Sequence, residues 1–496
     1  MIKKILLPAL THFISFTLFA QVNLLDASTL PDSLKENAHS VKREEKYFFE
    51  IKDIDEARLS VHQIFTVLDA GGDDVLFFYE FSDEFRRLED AEIKVYDARG
   101  KLLNKYKKRE MHAEGTGEGL VRDGTVYYFR VAAPAYPVTV TYDYEVKYKG
   151  TLNYPDYQIA FPEQAVENSK YVASVPAEID LRFKAKNIDL TPVITSVGKN
   201  KFYSWEVRNL RAINQEEGAA RGGSMYPQVM IAPNRFSMDD NKGDFTSWRS
   251  FGRWYGGLSK GSMNLTEVTK NFLKNMTKDA ADDKGKMKII YDYLQKNFRY
   301  VSIQLGIGGY KPFAASFVDQ KKYGDCKALS NYTQACLDAV GIKSYSALIN
   351  AEYNREPVDP TFPHNDFNHV ILCIPTNKDT TWLECTSNTN EFGILGSFTE
   401  NRNALLITPE GGVLVSTPKS SPAENLFSVS TTITLREDAS GISETTFATT
   451  GEYKQDLINY LFNEKKDNQT KFLINYMGFL QPDDYELTKN KKEDVA

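Results

Sequence analysis

A cysteine stands between two charged residues in the segment YGDCKAL, residues 323–329, and its neighbours suggest a reactive thiol. The residues that follow have the apolar spacing of a helix, so Cys326 is predicted to open that helix and Asp325 to cap it. Backbone N–H groups at a helix N-terminus carry partial positive charge, which stabilises the nucleophilic thiolate. Lys327 is expected to add positive charge, and Gly324 to permit a tight approach to the helix start. The alternative interpretation is that Cys326 is a small structural residue near a helix start.

A nucleophilic cysteine needs a general base, and two histidines follow it in the same region of the chain. The other histidines after residue 20 lie at or before residue 112. His364 lies in a proline-bounded loop, VDPTFPHND, whereas His369 heads a predicted strand, NHVILCI. Because a strand holds a side chain more firmly than a loop does, His369 is the predicted base.

The predicted hairpin that carries His369 also offers a carboxylate. Its strands, FNHVILCI and TTWLEC, flank PTNKD, and a loop of two or four residues after Ile374 would place Glu384 directly opposite His369. That carboxylate would accept a hydrogen bond from the imidazole and fix its tautomer. A loop of three or five residues would put Glu384 on the other face. The alternative is a strand-edge histidine beside a solvated glutamate, but a cysteine, a histidine and a glutamate together favour a triad.

These motifs resemble a known family. The residues Y-G-D-C-K, N-H-V at a strand start and W-L-E-C-T resemble the transglutaminase-like fold, and GIGGYKP fits the same lineage. The N-terminal region, with its TVTYDYEVKY strand, is similar to the DUF3857 domain that precedes such a core in many exported Bacteroidetes-type proteins. The resemblance implies a papain-related α+β core with Cys326 as nucleophile, His369 as base and Glu384 as third member. One departure is the glutamate, since the family most often has aspartate.

The triad implies acyl transfer through a thioester on Cys326. The carbonyl would belong to a glutamine side chain or a peptide bond of a protein or peptide substrate, and protease-like hydrolysis is preferred over transfer to an amine. Backbone N–H groups, including that of Cys326, would stabilise the oxyanion. The side chain of Gln304 is a candidate donor to the same oxyanion. The alternative is that Gln304 is only a polar residue of a loop. No cofactor and no metal are expected, since DDNKGD lacks the spacing of an EF-hand.

Two functions of other classes stay open. In one, the protein is a non-catalytic surface module whose β domains bind a glycan, peptide or protein partner, although the presence of both Cys326 and His369 weakens it. In the other, the cysteines have a redox role, which the absence of a C-x-x-C motif from the sequence argues against. All four cysteines are predicted to be unpaired, with Cys336, Cys373 and Cys385 as buried small residues. Cys373 and Cys385 are expected on opposite faces of the hairpin.

The elements that position these residues form an α+β multidomain chain. The predicted parts are a signal peptide over residues 1–20, an antiparallel β-sandwich over 21–245, a transglutaminase-like catalytic core over 262–418 and a β-rich segment over 424–496 that is helical from 453 to 478. In the first domain, residues 138–149 alternate apolar and polar side chains, and residues 91–106 have the pattern of a hairpin. Helices are predicted over 282–298 and from 325 or 326 to 340.

The composition and the first residues of the chain limit the classes to which the protein can belong. Of the 496 residues, 42% are hydrophobic, which is enough for packed cores. The formal charge of −7 does not indicate the basic surface that nucleic-acid-binding proteins have. The start, MIKKILLPALTHFISFTLFA, has a short basic region, an apolar stretch and Ala20 at the cleavage position of a signal peptide. We therefore expect an exported protein, periplasmic or at the cell surface, without a transmembrane segment after cleavage.

Overall fold

The computed structural model describes most of the chain after residue 22. The described residues are 23–116, 123–216, 225–353, 355–376, 379–438, 440–462 and 464–475. The predicted signal peptide and the end of the predicted C-terminal segment lie outside these ranges. Within them, no helix is both long enough and apolar enough to cross a membrane.

The N-terminal region is built of strands and is called the β domain below. Its strands are β1 (Ser40–Ile51), β2 (Ala57–Val67), β3 (Phe77–Ser82), β4 (Arg86–Tyr96), β5 (Leu102–Lys107), β6 (His112–Thr116), β7 (Gly124–Arg130), β8 (Val138–Tyr148), β9 (Tyr157–Gln158), β10 (Gln164–Pro176), β11 (Leu181–Lys186), β12 (Val193–Val197), β13 (Asn200–Leu210), β14 (Gln228–Pro233), β15 (Arg235–Met238) and β16 (Asn241–Asp244). The predicted hairpin is present as β4 and β5, and the predicted alternating strand as β8.

An eight-stranded sheet dominates the β domain, in the order β12-β13-β10-β1-β2-β8-β4-β5. Two three-stranded sheets, β11-β14-β9 and β3-β7-β6, share one apolar core with it. Val140 and Val146 of β8 are completely buried in that core, as their alternation predicts. The predicted sandwich architecture is therefore correct. One detail differs, because β1 and β10 pair in parallel while the other neighbours in the large sheet are antiparallel.

The next region, called the core below, combines helices with a second sheet. Its elements are α1 (Trp248–Leu258), α2 (Glu267–Thr277), α3 (Asp283–Asn297), β17 (Arg299–Tyr300), α4 (Ala315–Lys321), β18 (Tyr323–Gly324), α5 (Cys326–Ala339), β19 (Tyr345–Ile349), β20 (His369–Pro375), β21 (Thr380–Leu383), β22 (Asn403–Thr408) and β23 (Gly411–Ser416). The sheet is antiparallel in the order β21-β20-β19-β22-β23, and α5 packs against β20 and β19. Both predicted helices are present as α3 and α5.

Helix α1 was not predicted, since its sequence WRSFGRWYGGL resembles a connection between domains. It packs against β22 and β23. A Cβ on Gly252 would lie 2.1 Å from the backbone nitrogen of Gly412, so the close approach of the helix to this turn requires glycine. Gly252, which lowers helix propensity, is therefore also the residue that permits the packing.

The C-terminal region contains a hairpin followed by helices. Its elements are β24 (Phe427–Leu435), β25 (Gly441–Thr449), α6 (Gly451–Phe462) and α7 (Lys466–Asn475). The predicted strands are present, and the predicted helical stretch is divided into two helices within the described residues. In the part of the chain that the structure describes, β24 and β25 pair only with each other.

Candidate active site

Cys326 is the first residue of α5, and only 6% of its surface is exposed. The carboxylate of Asp325 caps the helix, since its Oδ1 accepts the backbone N–H of Ala328 at 2.9 Å. A Cβ on Gly324 would lie 2.9 Å from the Cβ of Ala328, which is too close for an ordinary contact. The predicted helix start, cap and close glycine approach are therefore all present.

Lys327 differs from the expectation that it would add free positive charge beside the thiol. Its Nζ donates a hydrogen bond to Oδ2 of Asp325, and both side chains are almost completely buried. Burial raises the pKa of Asp325, although the charge of Lys327 opposes this effect. The expectation was wrong because the carboxylate that caps the helix also neutralises the lysine.

His369 is the first residue of β20, and its imidazole lies between a carboxylate and the thiol. Its Nε2 lies 2.9 Å from Oε2 and 3.1 Å from Oε1 of Glu384. Burial by itself lowers the pKa of His369, but the charge of Glu384 and the hydrogen bonds to Cys326 and Glu384 raise it overall. Because Nε2 faces the carboxylate, Nδ1 is the nitrogen left to face the thiol of Cys326.

The register of the hairpin differs from the one that the sequence suggested. The observed pairs include Leu372 with Leu383, so His369 is not directly opposite Glu384, and β21 ends one residue before the glutamate. The pairing is shifted by two residues. A shift of two keeps every side chain on its face, which is why the contact between His369 and Glu384 forms across a diagonal.

The loop of the hairpin explains this shift. Pro375 and Thr380 are the last paired residues, which leaves four residues between them. Thr376 closes the loop, because its backbone N–H donates to the carbonyl of Asp379 at 2.8 Å and its hydroxyl to the same oxygen at 2.7 Å. A loop of four residues was among the expected lengths. Its closure by Thr376 places the whole loop one position later along the chain than the sequence suggested.

Glu384 is held by three contacts besides His369. The hydroxyl of Thr386 donates to Oε1 at 2.5 Å and its backbone N–H donates to the same oxygen at 3.1 Å. The hydroxyl of Tyr291, on α3, donates to the backbone carbonyl of Glu384 at 3.0 Å. Burial would raise the pKa of Glu384, but His369 and Thr386 lower it, so the carboxylate is held in its ionised form.

Two polar residues that the sequence did not single out fix the strand of His369 to its neighbours. The side chain of Asn368 makes two hydrogen bonds with the backbone of Ala351: it accepts the N–H at 2.7 Å and donates to the carbonyl at 3.0 Å. The hydroxyl of Ser330, on α5, donates to the carbonyl of Val370 at 3.2 Å. The motif N-H-V contains Asn368, but its contacts depend on a neighbouring strand, and no local pattern indicates them.

A cavity of about 230 Å³ opens beside the thiol and the imidazole. Its wall includes Cys326, His369 and, from the β domain, Arg86. Gln304 also lines it and is exposed, and its backbone N–H donates to Oδ1 of Asp123 in the β domain at 3.0 Å. The four predicted site residues therefore share one cavity or its immediate support, although Glu384 lies behind the imidazole rather than on the wall.

His364 lies in a different environment from that of a catalytic base. Its Nδ1 is 2.8 Å from Asp366 and its Nε2 is 3.3 Å from Asp156, which belongs to the β domain. Burial lowers the pKa of His364, but the two carboxylates outweigh burial and raise it to about 10. His364 thus bridges the core and the β domain as a cation.

All four cysteines are free, as predicted. Burial raises the pKa of Cys336, Cys373 and Cys385 to about 12 in each case. Cys373 packs with one apolar cluster and Cys385 with another, so they lie on opposite faces of the hairpin as expected. Among the described residues, His, Cys, Asp and Glu side chains form no group that could hold a metal ion.

Comparison with known proteins identifies one domain and a similar fold. Residues 56–214 match the family model of DUF3857, a domain of unknown function with a solved structure, so this domain is present within the β domain. A search of curated proteins finds no match.

Among solved structures, the chain is similar to that of a "putative protease" from Parabacteroides distasonis. The two are 12% identical with a TM-score of 0.57, and the alignment covers 87% of this chain and 98% of the other. A "putative cysteine protease" from Cytophaga hutchinsonii, 10% identical, matches 81% of this chain and 92% of its own with a TM-score of 0.22. An M1 zinc metallopeptidase from Deinococcus radiodurans, 8% identical, matches about half of each chain with a TM-score of 0.21. The first of these likenesses shows that the multidomain α+β fold is shared.

Proposed function

We propose that this protein is an exported, transglutaminase-like cysteine hydrolase that cleaves peptide bonds through Cys326, His369 and Glu384. The observation that carries the proposal is an imidazole that is hydrogen-bonded to a buried carboxylate and lines one cavity together with a helix-terminal thiol. The "putative protease" of similar fold is consistent with it. Export is proposed from residues 1–20 of the sequence.

The reaction begins with transfer of the thiol proton to His369. The thiolate of Cys326 attacks the carbonyl carbon of the scissile bond, and the negative charge moves onto the carbonyl oxygen. The backbone N–H of Cys326 is at the helix start, where N–H groups have no partner within the helix, and it is suited to bind that oxyanion. His369 then gives its proton to the leaving amine, the C–N bond breaks and a thioester remains on Cys326.

Water completes the cycle. His369 takes a proton from the water as its oxygen attacks the thioester carbonyl, and the C–S bond breaks to release a carboxylic acid. The proton returns to the sulfur. Glu384 holds the imidazole in one orientation and favours its protonated form throughout, which suits a group that must act as an acid in the first half of the cycle.

A peptide library tests the proposal. The mature full-length chain is incubated with it, and cleavage products are detected by mass spectrometry alongside assays for ammonia release and for incorporation of an amine. Wild type is expected to cleave peptides and Cys326→Ala to cleave none, while Cys336→Ala serves as the matched control and retains activity. Equal cleavage by wild type and Cys326→Ala would contradict the proposal. Amine incorporation or ammonia release without cleavage would reassign the reaction to glutamine side chains.

A further inference from the structure

The β domain closes one side of the cavity at Cys326. Asn153, which follows β8, lines the cavity, and its Oδ1 accepts a hydrogen bond from Nδ2 of Asn365 in the core at 2.8 Å. Tyr310 and both asparagines line the same cavity. The volume of about 230 Å³ is below the range of roughly 300–1,000 Å³ that is common for small-molecule sites, so it suits a short group such as a side chain or a chain end.

Arg86 is the cationic residue that the β domain contributes to this wall. The turn before it is fixed, because Oδ1 of Asp83 accepts the backbone N–H groups of Phe85 and Arg86 at 2.8 Å each. The Nη2 of Arg86 donates to Glu80, and its Nε is buried with no hydrogen-bond partner among the described residues, so a ligand would be met by the remaining N–H groups of the guanidinium. About 34% of the side chain is exposed, so the guanidinium retains donors for a ligand.

The charges around the cavity are arranged in layers. Three cationic side chains line it, and each has its carboxylate partner outside the lining: Arg86 with Glu80, Lys327 with Asp325 and His369 with Glu384. These carboxylates are at most 10% exposed. Asp83 is the carboxylate that does line the cavity, and its Oδ1 is occupied by backbone N–H groups. Lys327 is neutralised by Asp325 and almost completely buried, so Arg86 is the partly exposed cation of this lining that is nearest to a ligand.

We propose that the β domain forms part of the substrate site and that Arg86 binds a carboxylate which the substrate carries close to the scissile carbonyl. The proposal rests on the proposed function of Cys326. A planar guanidinium suits a carboxylate because it presents parallel N–H donors. The carboxylate is either the C-terminal one of a peptide or that of an acidic side chain.

Two alkylating agents that differ in charge test this without knowledge of the natural substrate. Iodoacetate and iodoacetamide each form a thioether with the sulfur of Cys326 and release iodide, and peptide mapping measures the rate at that residue. The quantity compared is the rate with iodoacetate divided by the rate with iodoacetamide. In the full-length chain, we expect Arg86→Gln to lower this ratio about fivefold, the size expected for a charge pair near contact distance in water.

The matched control is Arg58→Gln, which removes a β-domain arginine paired with Glu145 at 3.1 Å and not among the cavity lining. It is expected to leave the ratio unchanged. The double variant Glu80→Gln/Arg86→Gln avoids an unpaired buried carboxylate and should lower the ratio as the single variant does. An unchanged rate with iodoacetamide in these variants shows that the site is intact.

Competing peptides distinguish the two sources of the carboxylate. Peptides with a free C-terminus are compared with their C-terminal amides, and peptides containing glutamate with the same peptides containing glutamine, by how well each protects Cys326 from iodoacetamide. Stronger protection by either acidic form, lost in Arg86→Gln, supports the proposal and names the source. Equal ratios in wild type and Arg86→Gln, or equal protection by acidic and neutral peptides, would overturn it. If neither reagent labels Cys326 of the folded chain faster than that of the unfolded chain, the proposed function itself fails.

Discussion

Two histidines five residues apart contrast a structural position with the position that we propose for catalysis. His364 lies between Asp156 and Asp366 and joins the core to the β domain. His369 lies between Glu384 and Cys326 beside a cavity. Both imidazoles are largely buried, and carboxylates raise the pKa of both.

The contrast shows that a carboxylate and a raised pKa do not by themselves identify a general base, because ion pairs that hold domains together produce the same shift. The difference lies in what the second nitrogen faces. In His364 both nitrogens face carboxylates, so the ring is fixed as a cation. In His369 one nitrogen faces a carboxylate, and the ring lines a cavity together with a thiol, so a proton can be exchanged with a reacting group.

Removal of the two imidazoles should have the largest and most divergent effects. We expect His369→Ala to lower kcat/KM for peptide cleavage by about 10³-fold, within the range for loss of a general acid–base group. His364→Ala should stay within about threefold of wild type when the rate is expressed per folded molecule. Steady-state kinetics on one cleaved peptide measure kcat/KM of both variants. An equal loss of kcat/KM in the two variants would contradict the different roles given to the two histidines.

Neutralising the carboxylate beside each imidazole should change the pH dependence of kcat/KM for His369 but not for His364. The charge of Glu384 raises the pKa of His369, so Glu384→Gln is expected to lower that pKa and to move the alkaline limb of the kcat/KM profile to lower pH. A fall of about tenfold or more at the optimum should accompany the shift. The control, Asp366→Asn beside His364, should leave the limb in place. A limb that does not move in Glu384→Gln would contradict the role given to this carboxylate.

The effect of His364 should appear in stability rather than in rate. A histidine whose folded pKa is raised stabilises the folded state fully below its unfolded pKa near 6.5, and this stabilisation is lost as the pH rises through about 10. We expect His364→Ala to lower the free energy of unfolding by about 2 kcal/mol at pH 6, less than for a fully buried pair because both carboxylates are about a third exposed. Thermal unfolding of both proteins at pH 6 and above pH 10 measures this. A difference that grows with pH would contradict the assignment.

The aromatic neighbours should give the smallest effects. The ring of Phe398 packs edge-on against His369 with centroids 5.2 Å apart, and Phe362 stacks on His364 at 6.3 Å. Phe398→Leu is expected to slow peptide cleavage by less than about threefold, since the contact orients the ring but carries no proton. Phe362→Leu should leave the rate unchanged. A loss above about tenfold in Phe398→Leu would show that the carboxylate does not suffice to hold the imidazole.

Local patterns allowed much of the site to be predicted from the sequence. The start of α5 at Cys326 and its cap at Asp325 follow from short-range rules of helix termini. The face shared by His369 and Glu384 follows from the twofold period of strands, which a two-residue error in register does not change.

The features that the sequence did not predict depend on contacts between distant parts of the chain. The pairing of Lys327 with Asp325 depends on burial that removes both from water. The parallel pair β1–β10 and the use of Arg86 in the cavity depend on how the sheets and domains meet. No periodicity or motif within one segment encodes such contacts.

The most direct test of the central claim is the rate at which iodoacetamide labels Cys326 at pH 6.5 in wild type, His369→Ala and His364→Ala. If the imidazole of His369 takes the thiol proton, His369→Ala should label about 100-fold more slowly than wild type, and His364→Ala within about twofold of it. Labelling of His369→Ala at the wild-type rate, or an equal slowing in both variants, would contradict the account.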